Sequence, residues 1–179
     1  MAKQRLKELA KIIEYILLHR PDEFGLFLDS DGSLPIKELM WALHEESSWG
    51  HVRRGHFKEL AHSGLQLAFS IEDSCIRPKI PPERPAPVVT PPKLLFYAVR
   101  RKAYPVVLRQ GLRPAGRRYL PLATTREMAL RIGRRRDEKP VPLTIHAARA
   151  HDSGHQFIGC GELLLLVKEM PVRFFSGPA

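Results

Sequence analysis

Residues Ile12 to Leu39 read IIEYILLHRPDEFGLFLDSDGSLPIKEL, and this stretch decides how the chain begins to fold. Running into it, Leu6, Leu9, Ala10, Ile13, Ile16 and Leu17 fall at helical spacing and make one apolar stripe. Pro21 cannot continue that helix, because it lacks an N–H and its ring collides with the preceding turn. His19 and Arg20 are therefore placed at a helix end. Gly25 to Leu34 then alternates around Asp31-Gly32, a strong hairpin signal. Ile36, Leu39, Met40 and Leu43 predict a second helix, and Phe57, Leu60 and Ala61 a third. Leu65 to Ile71 and Cys75-Ile76 predict two short strands that turn at Glu72-Asp73. Three helices with β-hairpins predict a winged-helix lobe over residues 1–77.

Prolines at 78, 81, 82, 85, 87, 91 and 92 follow. Proline fixes φ and removes a donor, so residues 78–92 predict an extended, semi-rigid linker. Beyond it, Leu94 to Val99 predicts a strand, Ala103 to Gln110 a helix stopped by Gly111, and Tyr119 to Ala123 a strand. Thr125 to Ile132 predicts a helix capped by Thr124 or Thr125. Val141 to Ala147 and Leu163 to Val167 predict further strands. The fold class expected is α+β, with a second α+β lobe over residues 93–179.

Charge divides the chain at the same place. Residues 1–92 hold 12 Lys and Arg against 13 Asp and Glu, a net of −1; residues 93–179 hold 17 against 6, a net of +11. Most of the second set are arginines, whose planar forks match phosphate oxygens. A basic face of this kind points to a phosphate-bearing partner, a nucleic acid or a dinucleotide. With 44% hydrophobic residues over 179 the chain can bury a real core. Its apolar run at Leu163 to Val167 is too short to span a bilayer, so no membrane partner is expected. Met1 to Lys11 spreads its charges through an amphipathic pattern rather than a secretory leader. Two cysteines, Cys75 and Cys160, suit a reducing cytoplasm better than a disulfide scaffold. A monomer is expected.

Further motifs recur in one order along the chain. Leu18-His19-Arg20-Pro21 ends the first helix, and Cys75-Ile76-Arg77 closes the first lobe. Leu94 to Val99 is followed by Gln110-Gly111-Leu112-Arg113-Pro114 and Arg117-Arg118-Tyr119-Leu120-Pro121-Leu122. Ile132-Gly133-Arg134-Arg135 and Lys139-Pro140-Val141 come next, then Gln156-Phe157 through Val172. In this order the chain resembles the NAD-dependent RNA 2'-phosphotransferases, the KptA-like tRNA 2'-phosphotransferase family, as a divergent member. The resemblance implies a C-terminal lobe of the ADP-ribosyltransferase-like α+β kind, facing the winged helix across a basic cleft. It implies RNA carrying a 2'-phosphate as substrate and NAD as co-substrate, with release of nicotinamide and ADP-ribose 1'',2''-cyclic phosphate.

Both steps crowd anionic oxygens together, so fixed cations and a proton-shuttling group are required. Carried onto this chain, the resemblance makes His19 and Arg117 catalytic. Arg20 and Arg77 are expected on the substrate phosphate, and Tyr97 and Arg135 on NAD. Several family positions differ. The arginine expected before the histidine is Leu18, and the strand arginine is Gln66. H-G-T is replaced by Tyr97-Ala98-Val99, the histidine of V-H-L by Pro121, and Q-G-H-S by Lys79-Ile80-Pro81-Pro82.

Blander readings stand beside these. A histidine at a helix C-terminus is favourable there when charged, whatever its chemistry. Arg134-Arg135-Arg136 reads equally as a solvated run, and Trp41 and Trp49 as core. His44, His51, His56 and His62 read as surface. His146, His151, His155 and Cys160 are metal-ligating types, but no second compact pair completes a zinc spacing, so no metal is expected. Two other functions stay open: a catalytically inactive RNA- or nucleotide-binding module, and an ADP-ribosyltransferase that stops after the first step.

Overall fold

In the computed structural model the chain is described over residues 1–81 and 86–178. It divides into two compact units, Met1–Arg84 and Pro85–Ala179. The described residues hold six α-helices and two antiparallel sheets.

In the first unit, α1 (Lys3–Leu18) buries Leu6, Leu9, Ala10, Ile13, Ile16 and Leu17, the stripe expected from the spacing. It ends in a 3-10 turn at Pro21–Phe24, whose C-cap Gly25 takes φ 63°. β1 (Leu34–Pro35), α2 (Ile36–His44), α3 (Arg54–Ala61), β2 (Phe69–Ile71) and β3 (Cys75–Pro78) follow. The sheet order is β1-β3-β2, with Leu34 opposite Ile76 and Ser70 opposite Arg77. Helices and sheet share one core, including Leu9, Ile13, Leu39, Phe57, Phe69 and Ile76. Each buried leucine or phenylalanine contributes about 1.5–3 kcal/mol by leaving water.

The hairpin expected over Gly25 to Leu34 is only partly a ladder. Its turn forms where expected: Asp29 and Gly32 close it through backbone bonds of 2.8 Å, and the Asp31 carboxylate accepts from Ser33 N and Oγ. The strand, however, is Leu34–Pro35 alone. Leu26 and Phe27 are consecutive and both buried, which a strand with one wet face cannot provide. The strand expected from Leu65 likewise begins at Phe69, because Gly64 takes φ 72° and the Ala68 N–H donates to Glu14 of α1 instead. Trp49 is core as expected, whereas Trp41 is half-exposed with Lys37 Nζ 5.0 Å above its ring.

The second unit comprises β4 (Val88–Val89), β5 (Leu95–Val99), α4 (Tyr104–Gln110), β6 (Leu120–Ala123), α5 (Arg126–Arg134), β7 (Val141–Ile145), α6 (Ala147–Asp152), β8 (Phe157–Cys160), β9 (Leu164–Val167) and β10 (Phe175–Ser176). The sheet order is β10-β7-β5-β6-β9-β8-β4. Within the proline-rich stretch expected to be linker, Val88 and Val89 pair with Ile158 and Phe157 at the sheet edge; residues 82–85 of that stretch lie outside the described residues. The strand expected to run to Ala147 ends at Ile145, and α6 follows, burying Ala147 and Ala150 one turn apart. Thr125 caps α5, its hydroxyl accepting from Met128 N at 3.2 Å.

Two contacts set the geometry around β5. A Cβ at Gly133 of α5 would sit 2.7 Å from Ala98 Cβ and 2.9 Å from Pro140 Cβ, so only glycine lets the helix lie this close. After β5, Arg101 N and side chain bind Asp137 just past α5, while Lys139 N donates to the same carboxylate. These donors hold the Asp137 carboxyl at about 2, with the backbone bond from Arg101 the largest cause. A carboxyl depressed in the folded state stabilises fully above its unfolded value, about 3.9, and loses that contribution as pH falls through about 2. Melting scans of wild type and Asp137→Asn should therefore differ by a constant margin above about pH 4. The margin should close between about pH 4 and pH 2; one that persisted unchanged to pH 2 would contradict the assignment.

Candidate active site

His19 sits at the C-cap of α1, with φ −121° and its N–H bonded to Tyr15 O at 3.0 Å. Its ring is exposed, 6.0 Å from the ring of Tyr15 one turn earlier. Arg20 turns the other way. Its Nε and terminal nitrogen donate to the two oxygens of Asp22 at 3.0 and 3.1 Å, and another nitrogen lies 3.2 Å from Glu23. Asp22 is fully buried, at 0% exposure. Glu23 also accepts from Tyr15 Oη at 2.8 Å, which raises the Tyr15 pKa. The corner that presents His19 is thus fastened by Tyr15, Glu23, Arg20 and Asp22. Asp22 was not picked out from the sequence; its one visible signal is an acid two residues after an arginine, across a proline.

Around this corner the two altered family positions are both exposed: Leu18, at 41%, and Gln66. Arg77 lies on β3, and α1 packs against that strand. Its guanidinium pairs with Asp31 at 3.4 Å, and its Nε faces Glu72 at 3.2 Å without hydrogen-bond alignment. The bonds from Ser33 depress the Asp31 pKa, and Arg77 adds to that effect. The Cys75 thiol donates to Glu72 at 3.3 Å, and burial pushes its pKa up. Both acids on Arg77 are more than half exposed, unlike the buried Asp22 on Arg20.

In the second unit Tyr97 is half-buried on β5. Among the described residues β5 and β6 pair only at Phe96–Ala123, so no ladder joins Tyr97–Val99 to Leu120–Leu122. Tyr97 lies on one lip of this split, and Arg117, half-buried, lies three residues before the other lip. Pro121, without an N–H, stands on β6 inside it. Arg135 is half-buried at the C-cap of α5, the helix that Gly133 holds against β5. Tyr97, Arg117 and Arg135 thus belong to neighbouring elements of one unit, while His19, Arg20 and Arg77 belong to the other.

The histidines considered for a metal are placed otherwise. His155 packs edge-on against Phe174, His151 against Phe157, and His146 faces Ser176 Oγ at 3.4 Å. Among the described residues no three metal-capable side chains come together, and no helix is long and apolar enough to cross a membrane.

The family model described as RNA 2'-phosphotransferase, Tpt1 / KptA family, matches residues 4–169. The chain is 30% identical over 171 residues to a probable RNA 2'-phosphotransferase of Acetivibrio thermocellus, covering 93% of this chain and 94% of that one. A protein of the same description from Pyrococcus horikoshii is 29% identical over 176 residues, covering 95% and 97%. One from Streptomyces coelicolor is 28% identical over 183 residues, covering 100% and 99%.

The two arginines of the first unit should respond differently to truncation. Arg20→Ala leaves a buried carboxylate uncompensated and should cost about 3–5 kcal/mol. Arg77→Ala removes solvated pairs and should cost about 0–1 kcal/mol. Urea titrations of both variants measure the contrast; equal losses would mean that Asp22 is compensated by other groups.

Proposed function

This chain belongs to the RNA 2'-phosphotransferase family, and we propose that it is a working, NAD-dependent transferase that removes an internal 2'-phosphate from RNA. In this reading the first unit is a winged helix that receives the RNA. The second is an ADP-ribosyltransferase-like lobe that receives NAD. The observation that carries the proposal is His19: it is kept, exposed and held on a fastened corner, in a chain the family matches from residue 4 to 169.

The second unit suits a dinucleotide. The half-buried ring of Tyr97 on the lip of the β5–β6 split offers a face for nicotinamide, and Arg135 offers a cation for the pyrophosphate. When bound, NAD supplies the ribose carbon that accepts the phosphate oxygen as nicotinamide departs, and the adjacent hydroxyl that closes on phosphorus to release RNA with a free 2'-hydroxyl.

The protein's own groups act on the phosphate and its protons. Arg117 holds the phosphate as its charge redistributes, a role suited to a guanidinium fork. His19 takes up the proton that leaves the attacking ribose hydroxyl and returns it to the departing RNA oxygen. Arg77 supports the substrate phosphate, because its exposed acidic partners are weakly held and exchange readily for a stronger anion. Arg20 was expected to share that role. We propose that it also fastens the corner that carries His19, through its bidentate grip on buried Asp22.

A second reading has its own observation. Leu18 and Gln66 are both exposed and uncharged where the family places arginine, which favours a binding module on a retired catalytic scaffold. Transfer from a short RNA carrying an internal 2'-phosphate, with and without NAD, separates the two. Wild type should release the phosphate only with NAD, and His19→Ala should lower turnover by about 100-fold or more. Leu18→Arg adds a cation at a helix C-terminus, on a residue 41% exposed and outside the buried core. It should raise kcat/KM by about ten-fold or more. No turnover by either wild type or Leu18→Arg, with RNA still bound in a salt-sensitive way, would establish the binding module.

A further inference from the structure

Between Lys93 and Arg126 every charged residue is a cation. The structure gathers much of this stretch on one element. α4 (Tyr104–Gln110) has no fully buried residue, so it lies on the surface of the second unit. The turn before it exposes Arg100 and Lys102, the helix exposes Arg109, and Arg113 is exposed just after it. Val106 and Leu108 stand out between them at 42% and 43% exposure. The neighbouring cation Arg101 is already matched by Asp137, whereas Arg100, Lys102, Arg109 and Arg113 have no acidic partner among the described residues.

The face is firmly built. Gly111 ends α4 at φ 83°, where a Cβ would meet Met170 O at 2.8 Å. Leu112 and Met170 then exchange backbone bonds of 2.8 and 3.0 Å. The 3-10 turn Val172–Phe174 packs against the helix and adds the exposed Val172 and Arg173, the latter with its guanidinium 4.7 Å above the Phe174 ring. Exposed arginines on a fixed surface, unanswered by acids on the same stretch, destabilise a lone protein through their mutual repulsion. A polyanion relieves that repulsion and releases its own counterions on binding. Exposed valine and leucine among the cations give ribose and base edges a dry contact.

We propose that the outer face of α4, with its flanking turns, is a docking surface for the sugar-phosphate backbone of single-stranded RNA. The chain order gives it a purpose. β5 with Tyr97 enters α4, and α4 leads to the segment carrying Arg117. An RNA whose 2'-phosphate rests on Arg117 therefore lays its flanking nucleotides along this helix. That last placement rests on the proposed function; the docking itself does not.

The test is fluorescence anisotropy with a labelled 20-nucleotide single-stranded RNA that carries no 2'-phosphate and with no NAD present, over a series of salt concentrations. The double variant Lys102→Glu/Arg109→Glu is compared with Arg149→Glu/Lys168→Glu, which changes net charge equally on exposed positions of α6 and the end of β9. Each phosphate contact on a single strand contributes about 0.7 to the slope of log K against log salt, so the α4 pair should lower the slope by about 1.4 and affinity at low salt by about ten-fold or more. The Arg149/Lys168 pair should leave both nearly as in wild type. Equal losses in the two variants would overturn the proposal. So would wild-type binding to phosphatidylserine vesicles that the α4 pair abolishes while RNA binding is kept, which would assign the face to a lipid surface.

Turnover of a 2'-phosphorylated trinucleotide supplies the second arm. It should be the same in wild type and the α4 pair, since the docking surface is assigned to flanking nucleotides that so short an RNA lacks. If it falls with the α4 pair, α4 belongs to the phosphate site itself and the docking surface is rejected. If nothing turns over the trinucleotide, the transferase reading fails, and the anisotropy result still decides the docking surface by itself.

Discussion

Asp22 is a carboxylate with no access to water, and the first unit is arranged around that fact. Stripping water from a lone carboxylate costs several kcal/mol, more than most single contacts return. Arg20 answers this with a bidentate grip across the proline that ends α1. Glu23 joins from the same turn and ties in Tyr15 through its hydroxyl. Once those bonds form, the chain at residues 19–23 has one direction to take, and His19 is the residue left facing outward. The pair is a poor source of net stability, since a well-packed apolar pair of like volume would do as well. Its effect is on direction: it fixes where a histidine points.

The second unit solves a different problem, how to open a sheet without losing it. β9 is buried along its whole length and binds β6 over four register pairs, so the centre of the sheet is continuous there. β5 is held as firmly on its other side by five pairs with β7. Between β5 and β6 only one pair remains, and Pro121 cannot donate a bond that would close the rest. Gly133 brings α5 against Ala98 from behind, which keeps β5 in place despite the missing ladder. The split is therefore a supported opening, with an aromatic on one lip and an arginine leading into the other.

What could be read from the sequence follows the range of the forces involved. α1 announced itself because its stripe and the proline that stops it are local signals, and α5 because a threonine cap, Thr124 or Thr125, is one too. The turn at Asp31-Gly32 was legible for the same reason. The strand leading to it was not, since burial of both Leu26 and Phe27 is decided by the core and not by alternation. α6 was hidden because Ala-Ala-Arg-Ala directly after a strand reads as its continuation, until Ala147 and Ala150 are seen buried together. At the candidate site, His19 was legible from its place before Pro21. The engagement of Arg20 was not: an acid buried after a proline is a tertiary event, and residue types alone suggested a cation open to phosphate.

The distribution of charge separates binding from catalysis in this molecule. The cations of the second unit form a broad positive field, while Leu18 and Gln66 leave gaps at particular points of the first. A field of that kind attracts any RNA, and its effect beyond about 8 Å is screened at physiological salt. It lowers the energy of bound substrate and of the transition state together, so it tightens binding without speeding the chemical step. A guanidinium set against the transferring phosphate acts where charge moves. At about 4 Å and an effective dielectric near 20, such a charge is worth about 4 kcal/mol, far more than a distant one. In the proposed reading Asp22 engages Arg20, so Arg117 and His19 would carry the chemistry with fewer directed cations than the family pattern provides. On the proposed reading, a transferase built this way would bind its RNA well and turn it over slowly, with its shortfall in kcat rather than in KM.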